Sequence, residues 1–203
     1  MALPVLLLVS IPAASFDFFD PFNRLLGRDE LVIWRAPGQF VKVVDQERLK
    51  GNRRPPKNEH PAQISPAALA TVLASLSVRR SKGAMATDKG VPLFTPAEVS
   101  LLSTHIADAL GKANQQQDIV YAVVDVHENL GGAARLSTAG RVFVHEGRLN
   151  FIFGNALERT DEVDDNISHF AVPHRAGKRR EVVDNSLRIL GNAEIAYQST
   201  SGG

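Results

Sequence analysis

The sequence predicts an α+β domain, with a mainly antiparallel sheet and two principal helices packed on one face. Three observations lead there. Residues 118–153 hold three short runs rich in β-branched and aromatic residues: Ile119–Val126, Arg141–His145 and Arg148–Phe153. Each has the length of a strand. Glu146-Gly147 separates the last two, and an acidic residue followed by glycine suits a tight hairpin turn whose central residues need φ > 0. Upstream, two segments open Ser65-Pro66-Ala67 and Thr95-Pro96-Ala97, then continue with apolar residues at helical spacing.

Composition sets the bounds. The chain has 203 residues, 44% hydrophobic and 22% charged, which suits one globular domain with arms. A formal net charge of +1 makes no strong case for nucleic acid. The absence of cysteine excludes a disulfide framework, cysteine metal ligands, a cysteine nucleophile and a lipid carried on an N-terminal cysteine of the sequence given.

Residues 1–15 read as a signal peptide or N-terminal anchor. Leu3 to Ile11 is almost uninterrupted apolar sequence, followed by the small residues of Pro12-Ala13-Ala14-Ser15. The run is too short for a membrane span and suits a secretory signal, although no Lys or Arg precedes it. The expected location is exported: periplasmic or membrane-associated. Residues 16–30 form an arm in which Phe16, Phe18, Phe19 and Phe22 crowd seven positions. They either pack on the domain or dock onto a partner or membrane surface, and Asp17 and Asp20 oppose deep insertion.

The domain proper is expected over residues 31–198. Leu31–Arg35 and Gln39–Asp45 read as an antiparallel hairpin across Ala36-Pro37-Gly38, with Trp34 as a core or hairpin anchor. Leu49 to Pro61 is a polar, Pro-rich connection that carries Arg53, Arg54 and Lys57. It reads as a solvated loop, the alternative being an anion contact. Ser65 caps a first helix with Leu69, Val72, Leu73 and Leu76 on one stripe. Val78-Arg79-Arg80 begins a strand, and Ser81 to Gly90 is a loop. Thr95 and Glu98 form a capping box for a second helix with a stripe through Val99, Leu102, Ile106, Ala109, Leu110 and Ala113. Ile119–Val126 is apolar on both faces except at Asp125, as an interior strand is. Beyond Gly154 an acidic stretch (Glu158 to Asp165) precedes a basic one. Val183, Leu187 and Leu190 show helical spacing, Ala193 to Tyr197 suits a short edge strand, and residues 199–203 form a disordered tail.

No catalytic motif is present. Walker-type, Gly-x-Gly-x-x-Gly, Gly-x-Ser-x-Gly and His-Glu-x-x-His patterns are all missing. His169 and His174 near Asp161, Glu162, Asp164 and Asp165 match no metal-loop spacing and read as a charged loop. Asp125 and His127 share a strand face and could orient each other for acid–base work, or be a polar pair at a strand end. Arg175, Lys178, Arg179 and Arg180 either bind an acidic partner or lipid headgroups, or pair with the preceding acidic stretch. No catalytic residue, metal site or cofactor is assigned. The expectation is a non-catalytic, bacterial-type envelope protein that binds or scaffolds through its Phe residues and Arg/Lys cluster, with another envelope protein or a second copy as partner. The alternatives are an enzyme using Asp125 and His127, and an anion or nucleic-acid binder using the Arg/Lys clusters.

Overall fold

The computed structural model describes residues 30–49, 51–80, 90–128, 133–160, 176–177, 179 and 187–190. The elements in chain order are β1 (Leu31–Ala36), β2 (Gln39–Asp45), α1 (Pro66–Ser75), β3 (Ser77–Arg80), β4 (Val91–Pro92), α2 (Pro96–Lys112), β5 (Gln117–His127), β6 (Ala134–His145), β7 (Arg148–Arg159) and β8 (Leu187–Leu190). This is an α+β fold built on a five-stranded antiparallel sheet ordered β1-β2-β5-β6-β7. A second sheet, ordered β4-β3-β8, has three short strands.

Period-two alternation gives the large sheet its two faces. On one face Val41, Val43, Ile119, Tyr121, Val123 and Val142 meet Leu69, Leu73, Leu102, Ile106 and Leu110 of the helices in a single core. Burying each such side chain contributes about 1.5–3 kcal/mol relative to leaving it in water. Helix α2 lies directly against β1, β2 and β5, and α1 packs beside α2. Both helices begin as the sequence dictates. The Ser65 hydroxyl accepts from the Ala68 N–H, and Thr95 and Glu98 form a reciprocal capping box behind Pro96. Trp34 stacks on His105 of α2, with ring centroids 5.5 Å apart. The β6–β7 turn has φ of 53° at Glu146 and 65° at Gly147, as a two-residue hairpin turn requires.

Three expectations need correction. Strands β6 and β7 extend well beyond Arg141–Phe153, back to Ala134 and on to Arg159. Small residues from Ser137 to Gly140 resemble a loop in sequence, yet they pair with Tyr121–Val124 of β5, and β7 meets them through register shifts. Glycine is required at 140: a Cβ there would lie 2.6 Å from the Ile152 carbonyl oxygen and 2.7 Å from the Tyr121 hydroxyl. Leu187–Leu190 is not helical but pairs antiparallel with β3, because a four-residue apolar run fits either period and β3 offers it an edge. The connection from Leu49 to Pro61 is not simply solvated. Pro55, Asn58 and His60 are buried, and the loop bonds to the sheet through Asn58 N–H to the Gln115 carbonyl and Glu59 N–H to the Val144 carbonyl, both 2.8 Å.

Candidate functional site: a buried arginine–carboxylate network

The second face of the large sheet carries its most polar interior. Asp118, at the start of β5, is fully buried. Three side chains converge on its carboxylate through four hydrogen bonds. Oδ2 accepts from Arg141 Nη1 at 2.7 Å and, at 3.4 Å, from Arg179 Nε. Oδ1 accepts from Arg179 Nη2 at 2.6 Å and from Asn58 Nδ2 at 2.7 Å. Arg141 also reaches the Glu47 carboxylate, 3.3 Å away. Asn58 is fixed in turn: its Nδ2 donates to the Gln117 carbonyl, and its Oδ1 accepts from Arg179 Nη2 at 2.8 Å. The Arg179 guanidinium carbon lies 3.7 Å from the centroid of Phe143, so the planar cation sits on an aromatic face.

Topology places these groups. Asp118, Arg141 and Phe143 lie on alternate positions of paired strands, so they share the face opposite the helices. The docked loop supplies Asn58. Arg179 arrives from beyond β7 in a segment where Gly177, at φ +73°, approaches Ile152 so closely that a Cβ would meet its Cγ2 at 2.8 Å. His60 completes the surroundings. Its Nε2 accepts from the Val144 N–H at 3.1 Å, which puts the ring proton on Nδ1. Burial holds its pKa below the usual histidine value, and the nearby Asp118 charge opposes that shift only in part. An open groove of about 640 Å³ runs past His60, Pro61 and the C-terminal end of α2.

A second polar cluster sits under the N-terminus of α2. Thr95 Oγ1 donates to Asp125 Oδ2 at 2.6 Å and accepts from the Glu98 N–H. Glu98 Oε2 accepts from the Thr95 N–H at 2.8 Å and lies 3.4 Å from His127 Nε2. Asp125 and His127 do share a face, as expected. Asp125 accepts from the Thr95 hydroxyl and the His127 ring faces the Glu98 carboxylate, so both lie against the capping box that starts α2. The Tyr121 hydroxyl lies buried in the same region. Burial raises its pKa well above the ordinary tyrosine value, and the charge of Glu98 adds to the effect.

Of the residues expected to bind, Phe16, Phe18, Phe19, Phe22, Arg175, Lys178 and Arg180 lie outside the described residues. So do His169, His174 and the carboxylates of 161–165. Arg179 is placed: it points inward, its side chain 12% exposed, and it pairs with Asp118, while the acidic residues 161–165 lie outside the described residues. Among the described residues no cluster of three or more metal-ligating side chains occurs. Asn58, His60 and Asp118 escaped the sequence reading. An Asn and a His between prolines in a polar loop, and an Asp just ahead of an apolar run, look like ordinary turn residues.

Among the described residues the exposed large apolar side chains are Leu31, Val32 and Val126. Leu31 and Val32 of β1 are 48% and 39% exposed, and among the described residues β1 pairs only with β2, leaving its outer edge open. No family model, no curated protein and no solved structure matches this chain.

Proposed function

We propose that this protein is a non-catalytic binding or assembly component of the cell envelope, exported by its N-terminal apolar segment. The observation that carries the reading is the open edge of β1. Leu31 and Val32 present exposed apolar side chains on a strand that, among the described residues, pairs on one side only. Such an edge accepts an extended peptide as an added strand, with backbone bonds giving affinity and alternate side chains giving selectivity. Partner choice falls on an extended segment of another envelope protein with apolar residues at alternate positions. Two features support the non-catalytic part. Asp118, Asp125 and Glu98 are each engaged by neighbouring residues of the fold, and the groove beside His60 is lined mainly by uncharged residues. No described helix is long and apolar enough to cross a membrane.

The test combines location with contact. Fractionated cells should hold the protein outside the cytosol. A photo-crosslinking residue at Val32 should give a discrete adduct there, absent from a control at exposed Thr104 on α2. Intact protein found only in the cytosol, or equal labelling at 32 and 104, sinks the proposal.

A further inference from the structure

We infer that Asp118, Asn58 and Phe143 form a receptor for a peptide arginine, and that Arg179 is its occupant in cis. This goes beyond the edge-strand reading and does not depend on it. The receptor side is assembled without Arg179. Arg141 already holds Asp118 Oδ2, and the Asn58 amide is fixed by the Gln117 carbonyl. Strand pairing sets Phe143 beside them. What remains is a flat slot with an aromatic floor, one free lone-pair direction on Asp118 Oδ1 and the Asn58 carbonyl oxygen. Those are the complements of a guanidinium: a planar face for stacking and adjacent N–H groups for two acceptors. Lysine has neither the plane nor the fork.

Charge points the same way. Among the described residues, and without Arg179, the cluster holds two carboxylates, Asp118 and Glu47, against one guanidinium, Arg141. It is one positive charge short of neutral, and Arg179 supplies that charge. The occupant comes from a chain segment 61 residues beyond Asp118, and the described part of that segment touches the sheet otherwise at Gly177. The slot therefore belongs to the sheet and its docked loop, and the arginine is delivered to it. A competing arginine-bearing peptide would enter the same slot and lift residues 176–179.

The probe is the acetylated, amidated peptide Ala-Gly-Lys-Arg-Arg-Glu-Val, the sequence of residues 176–182. A second copy carries neutral citrulline in place of the arginine equivalent to Arg179. In the full chain with Arg179→Ala, calorimetric titration should show saturable 1:1 binding of the arginine peptide. The citrulline peptide should bind at least tenfold more weakly, and the unaltered protein at least tenfold more weakly than the variant. No binding, equal binding of the citrulline peptide, or equal binding by the unaltered protein overturns the inference. If Arg179→Ala does not fold, amide exchange of the unaltered protein decides. Excess arginine peptide should speed exchange at Gly177 and Arg179 more than the citrulline peptide does, and the same rates with both would refute it.

Discussion

Replacing Thr95 by alanine should loosen the attachment of α2 to the sheet. Two contacts disappear together. Thr95 Oγ1 no longer accepts from the Glu98 N–H, and losing an N-cap costs about 1 kcal/mol. It also no longer donates to Asp125 Oδ2, 2.6 Å away. A hydrogen bond to a charged group is worth about 1.5–3 kcal/mol when fully buried. Asp125 is only partly buried and also accepts from the Val126 N–H, so solvent recovers much of this and about 1 kcal/mol remains. The sum is about 2 kcal/mol, or a Tm lower by about 4–8 °C for a domain of this size. Circular dichroism melts and urea titration measure both. Thr95→Ser keeps the hydroxyl and should lie within about 0.5 kcal/mol of the unaltered protein. A double-mutant cycle of Thr95→Ala with Asp125→Ala should show a coupling of about 0.5–1 kcal/mol. If Thr95→Ala is as stable as the parent, or Thr95→Ser falls as far as Thr95→Ala, the hydroxyl is not the anchor.

Other changes test the remaining contacts. Gly140→Ala drives a Cβ into the Ile152 carbonyl and the Tyr121 hydroxyl, so chemical denaturation should show a loss of about 1–3 kcal/mol, as overpacking does. Arg141→Ala removes a partner from a fully buried carboxylate and should lower stability by about 3–5 kcal/mol. Glu47→Ala, whose carboxylate is 41% exposed, should change it by less than about 1 kcal/mol, and urea midpoints separate the two. His60 has a folded pKa below its ordinary 6.5, so the unfolded chain binds the proton more readily. Its contribution is full above that value and is lost as pH falls from there through the folded pKa. Melts between pH 7 and pH 5 should therefore decline more steeply for the parent than for His60→Gln, and parallel profiles would refute the assignment.

Much of the fold is legible in the residues. Proline at the first helical position behind Ser65 and Thr95, and the leucine stripe at 69 and 73, leave little freedom, because capping and period agree. Glu146-Gly147 fixes its hairpin in the same way. Legibility fails where one residue type serves two environments. Ser137 to Gly140 have loop composition but fit a strand whose neighbours crowd it. Leu187–Leu190 is too short for its period to discriminate. The polar network is the least legible part. Asn58, Asp118 and Arg179 carry no local pattern, since their meaning comes from meeting across the sheet. The Asp125–His127 spacing puts both on one face, but their neighbours Thr95 and Glu98 come from the start of α2, which strand periodicity cannot reveal.

The meeting of Asn58, Asp118 and Arg179 also bears on how the chain holds itself together in time. Asn58 and Asp118 stand 60 residues apart, Asp118 and Arg179 61, and Asn58 and Arg179 121. Bonds that close such long spans form after the local hairpins and capped helices, because the entropy of loop closure must first be overcome. Where such a knot forms after the transition state, weakening it leaves the refolding rate almost unchanged and speeds escape from the native state. The expected signature of Asp118→Asn is therefore faster unfolding with a refolding rate close to that of the unaltered protein, read from stopped-flow kinetics across a urea series.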